Sequence, residues 1–81
     1  MKIKIQLNPN SLNDIGKFVL LMKSFHSDIN LYKGAKYVDA KMIQDVLSID
    51  TSNNCEVEIL SNDERELKMF DKIIEEWRIK E

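Results

Sequence analysis

Residues 24–49, SFHSDINLYKGAKYVDAKMIQDVLSI, restrict the possible folds of this chain most, because two hydrophobic periods succeed each other there with a turn between them. Ile29 and Leu31 alternate with Asn30 and Tyr32, the two-residue period of a half-buried strand. Gly34 stands where the first central residue of a type II′ turn needs positive φ, and a second strand is predicted from about Lys36 to Val38. Asp39 is predicted to cap a short helix of about two turns whose buried stripe is Ile43, Val46 and Leu47.

The flanking segments follow the same logic. Residues 2–7, KIKIQL, alternate strictly, with Ile3, Ile5 and Leu7 on one face and Lys2, Lys4 and Gln6 on the other. The NPNSLND that follows is turn chemistry around Pro9, the only proline. Ser11 and Asp14 then have the spacing of a capping box, in which the serine accepts from a first-turn N–H and the acid reaches back to the cap. Ile15, Phe18, Val19, Met22 and Phe25 give a helical face ending near Phe25, and Leu20 and Leu21 widen it, leaving one of them partly exposed. After the polar loop DTSNN, CEVEIL reads as a strand with Cys55, Val57 and Ile59 inward and Glu56 and Glu58 outward, facing Lys2 and Lys4 if it lies beside the first strand. Asp63, Glu64 and Glu66 suit the start of a last helix and Arg78 and Lys80 its end, with Leu67, Phe70, Ile73, Ile74 and Trp77 as the core stripe.

The order is β-α-β-β-α-β-α in one domain of 81 residues. Such strands and helices satisfy one another when three helices cover the apolar face of a four-stranded, mostly antiparallel sheet and leave its other face in water, an open-faced α+β sandwich. Twelve basic against fourteen acidic residues, a net charge of −2, give no electrostatic basis for nucleic acid or an anionic membrane. The longest apolar run, residues 18–22, is far short of the ~20 residues that cross a bilayer, and no basic-then-apolar leader precedes it; a soluble cytoplasmic protein is expected. A lone cysteine, Cys55, excludes an intrachain disulfide and reads as a buried structural thiol. A lone histidine, His26, has no partners spaced for a metal, and no cofactor motif, Gly-rich phosphate loop or Ser/His/Asp set is present, so no enzyme is expected. The acids Glu64, Glu66, Glu75 and Glu76 read as solvated helix faces.

The DINL strand, the hairpin, Val38, Lys41, Ile43, Val46, Leu47 and Ser48-Ile49 resemble, residue by residue and without a gap, the middle of HPr, the histidine-containing phosphocarrier family of the bacterial sugar phosphotransferase system. The resemblance implies the same sandwich. It also implies a site at the first helix start, where the family carries a histidine that attacks a phosphoryl group, an arginine that helps hold the dianion, and a proline. Aligned without a gap, Ser11 takes the histidine's place, with Asn13 and Asp14 at the arginine and proline; matching Ser11-Leu12 to the small-aliphatic pair puts Asn13 there instead, at the cost of a two-residue deletion. The family's regulatory serine corresponds to Met42. The resemblance therefore implies a degenerate phosphoacceptor region at Ser11, Leu12, Asn13 and Asp14, and a protein-docking patch of Met42, Ile43 and Leu47, with Leu12 and Leu20 as further apolar contacts.

Two expectations follow. One is a protein-binding or regulatory module without phosphotransfer, its partner another protein or a second copy of the chain. The other is a phosphocarrier with a displaced acceptor, Ser11 or His26, although His26 lies roughly 15 Å along the helix from its start.

Overall fold

The computed structural model describes residues 1–8 and 10–79; Pro9 and Lys80, which the sequence reading used in a turn and at a helix end, lie outside the described residues, as does Glu81. The elements run β1 (Lys2–Ile5), α1 (Leu12–Lys23), β2 (Ile29–Lys33), β3 (Lys36–Asp39), α2 (Ile43–Leu47), β4 (Cys55–Ile59) and α3 (Glu64–Ile74). The four strands form one sheet in the order β1-β4-β2-β3, and every neighbouring pair is antiparallel.

Register follows from the two-residue period. Ile29 lies opposite Ile59 and Leu31 opposite Val57, while Val57 also faces Ile3 and Cys55 faces Ile5, so the inward residues share one face. That face packs against Ile15, Phe18, Val19 and Met22 of α1, Val46 of α2 and Phe70 and Ile74 of α3 in one buried cluster. On the opposite face Lys2 lies across from Glu58 and Lys4 from Glu56, as expected, and the Lys2 ammonium also sits 4.1 Å above the Tyr32 ring. The hairpin is as expected: Lys33 pairs with Lys36, and Gly34 takes φ 61 while Ala35 stays at negative φ, the type II′ pattern. No helix among the described residues is long and apolar enough to cross a membrane.

Three local expectations are corrected. Asp39 does not cap α2: it ends β3, and its carboxylate accepts from the Lys41 N–H in a turn, so the helix starts later, at an N-cap Met42 whose side chain makes no capping bond. Of the expected α2 stripe only Val46 is buried; a helix of five residues presents too little surface to bury three apolar positions. The last helix stops at Ile74, not near Arg78, because the chain turns there to bond the backbone of β1. The polar loop after α2 is as expected, and within it Thr51 is buried, its carbonyl accepting from Leu7 N at 2.9 Å, which tethers the residues beyond β1.

Gly16 is in the interior of α1, and a Cβ built on it meets nothing within 4 Å. Gly16→Ala should raise the unfolding free energy by about 0.8–1 kcal/mol through helix propensity alone, measurable as a higher urea midpoint with an unchanged slope.

Candidate functional site at the start of the first helix

Ser11 is the N-cap of α1, with extended φ −117 and ψ 101, and its Oγ accepts from Asp14 N at 3.2 Å. The return half of the expected capping box does not form. Asp14 instead turns outward: Oδ2 accepts from Asn8 N at 3.1 Å and Oδ1 from Trp77 Nε1 at 2.9 Å. The reason is competition. A buried indole N–H and a loop amide both need an acceptor, and a carboxylate beside a helix N-terminus serves both while its charge suits the helix dipole. Asn8 completes the turn, its Oδ1 accepting from Asn10 N and its carbonyl from Ser11 N.

Trp77 is the residue that sequence reasoning placed in the core stripe without seeing its polar role. It is buried, its ring meets Phe18 edge-on at 5.2 Å and 89°, and its backbone carbonyl accepts from Gln6 N. The available signal was its chemistry: a buried tryptophan needs an acceptor for its N–H, and a carboxylate near an open helix end is a ready candidate. Beside it, the Lys17 ammonium bonds both Glu76 carboxylate oxygens at 2.8 and 3.0 Å, so Glu76 is not simply a solvated acid. Asn8, Asn10, Asp14, Glu76, Trp77 and Arg78 border a cleft of about 950 Å³. Each of its charged side chains is engaged: Asp14 accepts from the Trp77 indole, Glu76 pairs with Lys17, and the Arg78 guanidinium pairs with Asp71 and Glu75.

The second expected group is on α2. Met42, Ile43 and Leu47 are 50%, 40% and 45% exposed, and on the neighbouring α1 Leu12 and Leu20 are 68% and 69% exposed. All five large apolar residues named from the sequence are therefore at the surface, two more of them than the predicted stripe of α2 allowed. α1 and α2 pack against each other. Asn13 is exposed and Ser11 half-buried.

The family described as PTS HPr component phosphorylation site matches residues 13–77. The chain belongs to the HPr family. Two solved structures have the same fold. HPr-C-His from Thermoanaerobacter tengcongensis superposes with a TM-score of 0.70 at 24% identity, covering 93% of this chain and 89% of that one. Crh of Bacillus subtilis, a catabolite repression protein whose crystal structure is described as an intertwined dimer with a swapped domain, superposes at 0.60 with 27% identity, covering 96% and 90%. No curated protein sequence is matched.

His26, the one histidine, lies beyond the opposite end of α1, whose twelve residues rise roughly 18 Å. It is exposed, and its backbone N–H, with those of Ser27 N and Ser27 Oγ, is bonded by the carboxylate of Glu66. Hydrogen bonds from the hydroxyls of Ser27 and Ser61 and the amides of Ser27 and His26 outweigh partial burial and pull Glu66 from 4.5 down to about 2. A carboxylate at about 2 is too weak a base to activate a neighbouring hydroxyl.

Because the folded pKa is depressed, the unfolded chain binds the proton first as the medium acidifies, so this stabilisation is complete above about 4.5 and is lost as pH falls toward about 2. Glu66→Gln should be less stable than the parent at neutral pH and lose less stability across that window; parallel slopes in urea melts would show that Glu66 is not the titrating group.

Proposed function

We propose that this HPr-family chain is a protein-docking module that takes up no phosphate at the start of α1. The observation that carries this reading is the state of Asp14: at the turn where a phosphoryl dianion would need cationic and N–H donors, a carboxylate is already fixed by Trp77 and Asn8. Ser11 as the N-cap supports the ungapped alignment, since the cap is where the family's acceptor histidine would be expected. Serine without an adjacent base is a poor nucleophile, and the side chains about it are an amide and an acid, with no imidazole or guanidinium in residues 10–14. Incubation with phosphoenolpyruvate, enzyme I and magnesium should therefore leave the intact mass unchanged. A gain of one phosphoryl group would refute the reading, and its loss in Ser11→Ala or His26→Ala would identify the acceptor.

The docking surface on this reading is the apolar group of Met42, Ile43 and Leu47 on α2, with Leu12 and Leu20 on α1. Its support is exposure: five large apolar side chains stand at the surface on, or at the cap of, two helices that pack together, and Met42 is an unbranched thioether that adapts to varied partners. A second copy is one such partner, favoured by the swapped dimer described for Crh. Met42→Asp should change folding stability by no more than about 0.5 kcal/mol, as for other surface sites, yet abolish partner capture or shift a dimer to monomer in analytical ultracentrifugation. A loss above about 2 kcal/mol would make Met42 structural and remove the docking assignment.

A further inference from the structure

β1 is an edge strand of the sheet, but its outer edge is not open. After α3 the chain returns to it: Gln6 N donates to Trp77 O at 3.0 Å, Ile79 N donates to Lys4 O at 3.1 Å, and Ile5 and Arg78 form an antiparallel bridge between these bonds. Residues 77–79 are thus a cis strap, one bridge long, on the edge of β1. It is latched on several sides. Trp77 is buried against Phe18 and donates its indole N–H to Asp14; Glu76 pairs with Lys17; Arg78 reaches back to Asp71 and Glu75.

We propose that this strap shields the β1 edge from a second copy of the chain, and that releasing it lets β1 pair with β1 of another molecule. The occupant follows from which groups the strap satisfies. An antiparallel pairing of two β1 strands about a two-fold axis at Ile5 bonds Gln6 N of each copy to Lys4 O of the other, so the two β1 groups that the strap satisfies in each copy are satisfied again, while the strap's own Ile79 N and Trp77 O pass to water. The same register sets Ile5 opposite Ile5 and Lys4 opposite Gln6, so no like charges face each other, whereas a register centred on Lys4 would oppose two lysines. An exposed edge with unpaired N–H and C=O groups is a template for such pairing, and a short covering segment is a known way of blocking it. The proposal does not rest on the docking reading, which concerns side chains of α1 and α2 and not the backbone edge of β1.

Ile79→Pro tests it, because proline removes the donor to Lys4 O at a residue outside the buried core. Trp77→Ala, which also loses core packing, is a second, harsher release; if it does not fold, Ile79→Pro decides alone. Both are made in a Met42→Asp background, so that association through the α2 patch is already disabled, and read by sedimentation and by amide exchange at Gln6. The Met42→Asp parent should be monomeric with Gln6 protected. Ile79→Pro should dimerise at least about tenfold more tightly, with Gln6 exchanging freely in dilute monomer and protected again in the dimer. Three outcomes would overturn the proposal: a released variant that stays monomeric with an unprotected Gln6, a Gln6 amide that stays protected in the monomeric variant, or a parent that dimerises as tightly as the variant.

Discussion

The pairing of β2 with β4 is the constraint on which the remaining structure depends. It joins strands separated by the whole of β3 and α2, and it fixes Ile29 against Ile59 and Leu31 against Val57. Because successive side chains point to opposite faces, a slip of either strand by one residue would turn its apolar residues to water and bring inward Asn30 and Tyr32 if β2 moved, or Glu56 and Glu58 if β4 moved. The penalty for burying those polar groups exceeds any gain from exposed cross-strand pairs, each worth about 0.2–1 kcal/mol, so apolar burial decides the register and the charge pairs only agree with it. With this row in place β1 adds on the far side of β4, β3 on the far side of β2, and the three helices have one face to cover.

The fold was legible because its information is periodic and local. KIKIQL, the hairpin around Gly34, CEVEIL and the α1 and α3 stripes each carry their period within a single element, and family resemblance across residues 24–49 pointed to the same sandwich. What was not legible depends on competition between distant groups. Ser11-x-x-Asp14 has capping-box spacing, but nothing near Asp14 in the sequence says that a tryptophan 63 residues away will take its carboxylate. Likewise Arg78 suits the end of a helix, yet the helix yields to the unmet backbone groups of Lys4 and Gln6, which offer the returning chain more than one further helical turn would. Asp39 is a good cap by type, but β3 pairing extends as far as Asp39 itself and the turn at Lys41 uses its side chain.

The candidate site shows a related division. Which residues stand at the start of α1 was readable, and so was the absence of histidine and arginine there. Exposure was not: Ile43 and Leu47 have the spacing of a buried stripe, and only the shortness of α2 leaves them at the surface beside Met42. A hydrophobic period in a helix of five residues is thus weak evidence of burial, and here the same residues serve the docking reading better than the packing one.

The electrostatics at the start of α1 can be weighed by magnitude. A helix N-terminus favours a nearby anion by about 0.3–1 kcal/mol at the surface and up to about 2 kcal/mol when partly buried. Asp14 already draws on that field, and Lys17, one turn further along, is engaged with Glu76. A phosphoryl group on Ser11 would lie within one turn of the Asp14 carboxylate, roughly 5 Å away, where each pair of unit charges repels by about 3 kcal/mol at an effective dielectric of 20. For a dianion that repulsion exceeds everything the helix end supplies. Relieving it by rotating Asp14 away would break the bonds to Trp77 and Asn8, and with them part of the hold on the segment that closes the β1 edge. A phosphoryl group on Ser11 and the closed edge would therefore compete for one carboxylate, and the bonds that Asp14 makes here serve the edge.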